Sequence, residues 1–253
     1  MTTLLKLTGL KKHFGGLWAS NGIDLELQAG ELHALIGPNG AGKTTLIHLI
    51  SGALKADEGG IEFSGANVAA LSMHQRVALG LTRSYQITSI FPQLSALENV
   101  RLAVQSRRRD WGSSFRFWRR AGAETAMTVE ADEWLGRVGL ESRAGVHAAD
   151  LSHGEQRCLE LAMALATRPR LLLLDEPMAG MGPEESERMA ALIASLKGEI
   201  TLLMVEHDMD IVFRLADRIS VLVAGRIVAS GLPEAVRDDP EVRRAYLGDE
   251  VAA

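Results

Sequence analysis

The octapeptide Gly37-Pro38-Asn39-Gly40-Ala41-Gly42-Lys43-Thr44 constrains the fold of this 253-residue chain more than any other stretch. It fits G-x-x-x-x-G-K-[ST] in full and stands between an apolar run at 32–36 and a helical pattern at 44–51. A buried strand, a glycine loop and a helix in that order make a phosphate-binding unit of a parallel α/β sheet. The glycines let backbone N–H groups converge on α- and β-phosphates, Lys43 reaches the β- and γ-phosphates, and the Thr44 hydroxyl suits a Mg²⁺ ligand. Thr45 is placed to add a phosphate contact.

Two further apolar runs, 171–174 and 201–205, are short and bounded by turn residues, the pattern of strands buried on both faces. Ligands of such a sheet gather at the carboxyl ends of its strands. The first run ends in Asp175 and Glu176, adjacent carboxylates that face different ways and can divide the work. Asp175 is expected in the Mg²⁺ shell. Glu176 is expected to polarise the attacking water, a role typically worth about 10²- to 10⁴-fold in rate. The second run is followed by Glu206 and then His207, which can hydrogen-bond the γ-phosphate and help orient the water.

A third element, Leu151-Ser152-His153-Gly154-Glu155, opens a helical pattern. Ser152 and Gly154 offer a hydroxyl and unobstructed N–H groups at a helix N-terminus, where the dipole favours an anion, so this reads as a second phosphate-binding site. Gln86, where sheet gives way to helix, can touch Mg²⁺ or the water. Phe14 can stack on adenine, with Trp18 as the competing stacker and burial in the first sheet as the plainer alternative.

Residues 4–10 and 23–27 alternate apolar and polar, as half-buried antiparallel strands do. A last buried strand is expected at 219–223, a Gly225 turn, a short strand at 227–230 and a helical tail at 233–246. Residues 86–167 differ: they are rich in Ala, Arg, Leu and Glu, with helical spacing at 96–106 and 125–138. The net charge of -5 argues against a general nucleic-acid binder. Cys158, the single cysteine, excludes an internal disulfide, and its apolar neighbours predict a buried thiol. With no run of about 18 apolar residues, the chain is expected to be soluble and cytoplasmic.

The P-loop, Gln86, the 151–155 element, Asp175-Glu176 and His207, in this order, resemble an ABC-type ATPase subunit over nearly the whole chain. Phe14-Gly15-Gly16, Leu97-Glu98-Asn99-Val100, residues 175–185 and the ending 239–248 look like the ATPase of branched-chain amino acid importers. The resemblance implies an α/β fold: a RecA-like P-loop NTPase core with an antiparallel β subdomain, in 1–85 and 168–253, and an inserted α-helical subdomain at 86–167. It implies ATP and Mg²⁺ as ligands, and a head-to-tail dimer with an identical or similar ATPase subunit. In that dimer Ser152 and Gly154 of one subunit face the γ-phosphate held by the other. Two membrane permeases and, indirectly, a solute-binding protein outside are the implied partners, and the implied place of this chain is peripheral, on the cytoplasmic face of the inner membrane. The alternatives are a soluble ABC ATPase of translation or DNA repair, a lipopolysaccharide-export ATPase and an ATP-gated module without turnover. Three positions depart from the family pattern: His153 replaces a glycine, Glu155 a glutamine, and Gly182 an Asp or Asn. In segment 107–120, Trp111, Phe115 and Trp118 at helical spacing among arginines suit either permease or membrane contact or plain lobe packing.

Overall fold

The computed structural model describes residues 2–84, 90–107 and 120–247. In chain order the elements are β1 (Thr3–Phe14), β2 (Leu17–Gln28), β3 (Leu32–Ile36), α1 (Lys43–Ser51), β4 (Glu58–Phe63), β5 (Ala66–Asn67), α2 (Met73–Ala78) and β6 (Leu81–Arg83). There follow α3 (Ala96–Arg107), α4 (Arg120–Arg137), α5 (His153–Ala166), β7 (Leu171–Asp175), α6 (Pro183–Ser195) and β8 (Thr201–Val205). The chain continues through α7 (Met209–Leu215), β9 (Arg218–Val223), β10 (Arg226–Gly231), α8 (Pro233–Asp238) and α9 (Pro240–Leu247).

Two compact units are distinguished. The first comprises the described parts of Met1–Arg83, Arg170–Pro177 and Ile193–Ala253. It holds a four-stranded antiparallel sheet, β2-β1-β4-β5, and a six-stranded sheet ordered β10-β9-β3-β8-β7-β6. In the second sheet β9, β3, β8, β7 and β6 run parallel and only β10 is antiparallel, so the carboxyl ends of the parallel strands share one edge. β3, β7 and β8 are buried at every residue, which is why they read as unbroken apolar runs. β1 and β2 instead bury roughly alternate residues. Leu46, Ile47, Leu49 and Ile50 of α1 join one core with residues of both sheets, so this helix lies between them. Each such side chain contributes about 1.5–3 kcal/mol by leaving water.

The second unit comprises the described parts of Ser84–Pro169 and Met178–Leu192. It takes in Met178–Leu192, which the bounds expected from sequence assign to the core. The cause is local bonding: the Ala179 carbonyl lies 3.3 Å from His153 Nε2, and the Glu185 carboxylate stands against Gly154. Within this unit α3, α4 and α5 pack on one another. Ser95 and Glu98 cap α3 reciprocally, the Glu98 carboxylate accepting from Ser95 N at 2.8 Å. The fully buried Asn99 ties down the preceding turn, accepting from Phe91 N and donating to the carbonyls of Phe91, Leu94 and Ser95.

The tail at 233–246 is two helices, not one. Pro240 disfavours helical geometry at Asp239, which sits at ψ 125°, and the Asp239 carboxylate then accepts from Glu241 N and Val242 N to open α9. Among the described residues no helix is long and apolar enough to cross a membrane.

Candidate functional site

β3 delivers the chain into a loop that only glycine fits at two points. A Cβ on Gly37 would overlap the Leu222 carbonyl, and one on Gly42 the Ala19 carbonyl, Gly42 being also left-handed at φ 107°. Gly225 N donates to Ala41 O at 2.9 Å, so the β9–β10 turn braces the loop from outside. Gly42 then caps α1 with no side-chain acceptor, and the first turn carries no acid. The N–H groups and positive dipole end of α1 are thus left for an external anion. The Lys43 ammonium, in a residue only 8% exposed, donates to Gly37 O at 2.6 Å and Pro38 O at 3.1 Å. Burial lowers its pKa, while Glu176 and Asp175 pull the other way. Thr44 is exposed, and Thr45 is half-buried.

On the same edge β7 ends in Asp175, whose neighbour in the parallel ladder is Val205 of β8. Asp175 is 2% exposed and its Oδ2 accepts from Arg83 Nη2 at 2.8 Å. Its Oδ1 is buried with no hydrogen-bond partner among the described residues. Burial raises the Asp175 pKa against the opposing pull of Arg83. Glu176 occupies the left-handed region at φ 50°, with its N–H donating to Val205 O at 2.9 Å. A non-glycine residue there costs of order 1–3 kcal/mol, the kind of strain that recurs at functional sites.

β8 ends beside Glu206, which is 1% exposed and accepts from His207 N at 3.1 Å. The His207 side chain is 67% exposed, and Asp208 caps α7 immediately after it. The P-loop, Asp175, Glu176 and His207 therefore gather at one sheet edge of the first unit. Phe14 and Trp18, 52% and 42% exposed at the β1–β2 hairpin, are not core aromatics. Gln86 and most of the 107–120 segment lie outside the described residues.

Ser152 and Gly154 lie in the second unit. Ser152 Oγ accepts from Glu155 N at 3.2 Å, and the Glu155 carboxylate returns to accept from Ser152 N at 2.8 Å. Arg143 Nε pairs with Glu155 at 2.8 Å. Burial works to raise the Glu155 pKa, but the Ser152 N–H and the Arg143 charge override it and hold it below the usual value. The Ser152 hydroxyl accepts from Glu155 N and also bonds the Glu155 carboxylate, so the cap engages both its oxygen and its hydrogen. Cys158 is half-buried, its thiol pushed up to about 11 chiefly by desolvation.

Sequence reasoning missed Arg83, Arg143 and the cap that Glu155 makes. The S-x-x-E spacing from Ser152 to Glu155 signals that cap. Nothing in Leu81-Thr82-Arg83 marks a buried ion pair.

A family profile described as ABC transporter (ABC_tran) matches residues 20–179, and one described as branched-chain amino acid ATP-binding cassette transporter matches residues 226–252. The chain is 38% identical over 252 residues to the high-affinity branched-chain amino acid transport ATP-binding protein BraF of Pseudomonas aeruginosa, covering 97% of this chain and 98% of that one. Its identity to LivG of Escherichia coli K12, of the same description, is 38% over 256 residues, with coverage of 97% and 98%. Among solved structures, a nucleotide-free ATP-binding cassette from an ABC transporter superposes with a TM-score of 0.83 at 29% identity, covering 97% and 99%. The ADP conformation of the cassette MJ1267 gives 0.83 at 28%, covering 98% and 100%.

Proposed function

Because the chain belongs to the ABC transporter ATP-binding family, we propose that it hydrolyses ATP to drive import of branched-chain amino acids or related small solutes through partner membrane subunits. BraF and LivG, whose names state branched-chain amino acid transport, match it end to end and support that cargo. The observation that carries the hydrolytic reading is the meeting of Lys43, Asp175 and Glu176 at one sheet edge beside the uncapped start of α1.

The N–H groups of residues 39–45 hold the triphosphate, and Lys43 turns from the Gly37 and Pro38 carbonyls to the β- and γ-phosphates. Glu176 accepts the proton of the attacking water, and His207 bonds the γ-phosphate and keeps the water in line. Phe14, exposed at its hairpin, stacks on adenine. Mg²⁺ is commonly held by one or two carboxylates with phosphate and water oxygens. The orphaned Asp175 Oδ1 fits such a cation. Thr44, Asp175 and Gln86 would hold it; when bound, it neutralises charge on the transferred phosphoryl oxygens.

A P-loop covers one side of the triphosphate, and the developing charge needs donors on the other. In the proposed head-to-tail dimer Ser152 and Gly154 of the second ATPase subunit supply them. Two transmembrane permeases, fed by a solute-binding protein outside, complete the assembly, with the ATPase pair peripheral on the cytoplasmic face of the inner membrane. Glu176→Gln tests the core of this reading. The variant should bind ATP as the wild type does and accumulate as an ATP-bound dimer on size exclusion, with turnover down by about 10²-fold or more; undiminished steady-state hydrolysis removes Glu176 as the base.

A further inference from the structure

We infer that Arg83 is a positioning residue for the metal-binding carboxylate: it anchors Oδ2 of Asp175 and thereby leaves Oδ1 as the oxygen offered to the cation that accompanies the nucleotide. The inference rests on the reading of Asp175 as a Mg²⁺ ligand.

Arg83 ends β6, a three-residue edge strand whose parallel partner is β7, with Leu81 opposite Leu171 and Arg83 opposite Leu173. Side chains two apart on a strand share a face, so Leu81, Arg83, Leu171, Leu173 and Asp175 all point the same way. Leu81, Leu171 and Leu173 belong to the core that α1 fills, and α1 begins with Lys43 and Thr44. The pair therefore lies on the helix-covered face, at the end where α1 leaves the P-loop. The Arg83 and Asp175 side chains are 6% and 1% exposed, with Nη2 and Oδ2 2.8 Å apart.

A buried ion pair is weak evidence for stability as such, since desolvation offsets most of the attraction. Its asymmetry is informative. One carboxylate oxygen is held, while the other is buried with no hydrogen-bond partner among the described residues. A buried carboxylate oxygen left in that condition loses its hydration with nothing in return, and a ligand is the ordinary reason to keep one. Partners that hold a metal ligand from behind fix its orientation, and their loss typically weakens metal affinity by about 10- to 100-fold.

The test uses the full chain with a non-hydrolysable ATP analogue and Mn²⁺, free Mn²⁺ being read by electron paramagnetic resonance. Arg83→Met should weaken Mn²⁺ affinity by about 10- to 100-fold while metal-free analogue affinity stays within about 3-fold. Arg83→Lys, which keeps the charge on a shorter reach, should recover part of that loss. Wild-type or tighter Mn²⁺ binding by Arg83→Met overturns the inference, tighter binding meaning that Arg83 competes with the cation. If Arg83→Met does not fold, an Arg83→Lys chain with unchanged Mn²⁺ affinity overturns it equally. Asp175→Asn separates the two levels: unchanged Mn²⁺ affinity there defeats the metal role of Asp175 and this inference with it. A loss at Asp175→Asn without one at Arg83→Met defeats the inference about Arg83 alone.

Discussion

Two helices of this chain open on sequences proposed to meet phosphate, and they open in opposite ways. α1 starts from Gly42 with no side-chain cap and no acid in its first turn, whereas α5 starts from Ser152 inside a complete capping box with Glu155 in its first turn. At α1 the free N–H groups and the dipole, worth about 0.3–1 kcal/mol to an anion, await a ligand. At α5 the cap already takes up one of them, Glu155 N. Glu155 takes the favourable place of an anion, and Arg143 balances its charge. On the proposed reading the first N-terminus takes the triphosphate directly, and the second meets one already held by the partner subunit.

Lys43→Ala should break the stronger half of that contrast. Losing charge-assisted bonds of about 1.5–3 kcal/mol each, the subunit should lose about 10²- to 10³-fold in ATP affinity by equilibrium titration; unchanged affinity would place the nucleotide elsewhere. Ser152→Ala should do the reverse, leaving ATP affinity of the lone subunit intact while turnover falls about 10²-fold, as for loss of one transition-state donor. The lost cap should also cost about 1 kcal/mol of stability. An ATP affinity that falls with Ser152 would erase the distinction between the two helices.

Glu155→Gln should give the smallest effect. A glutamine keeps the acceptor for Ser152 N but removes the negative charge, so ATP-driven dimerisation should tighten by about 2- to 5-fold. Because the folded pKa of Glu155 lies below its ordinary value, its stabilising contribution is present above the usual carboxylate pKa of about 4.3 and is lost as pH falls through the lowered one. The stability difference between wild type and Glu155→Gln should accordingly shrink in acid below that pH, read by thermal unfolding across a pH series.

The α1 site was legible in the sequence because each part of it is local. β3, β7 and β8, buried on both faces, print as apolar runs, and their carboxyl ends point to Asp175, Glu176 and His207 by position alone. β4, with sequence Glu58-Gly59-Gly60-Ile61-Glu62-Phe63, hides because only Ile61 and Phe63 face the core. Arg83 hides because its meaning comes from a strand 92 positions away in sequence. Leu97-Glu98-Asn99-Val100 showed as a family mark, yet why Glu98 and Asn99 are needed appears only once the cap and the buried amide are seen. The break at Asp239-Pro240 within the helical tail expected at 233–246 is what the pre-proline rule implies.

The shielded Cys158 thiol has a practical consequence. Burial pushes its pKa up to about 11, which keeps it largely in the thiol form at neutral pH. The one cysteine of the wild-type chain should therefore react slowly with maleimides and methanethiosulfonates, which labelling of the unmodified chain checks. A single cysteine introduced at an exposed position such as Leu17 or Val129 would be labelled selectively, without first removing the native one. Spin or fluorescence reporters on α4 and on the β1–β2 hairpin can then follow nucleotide-driven motion in an otherwise unaltered protein.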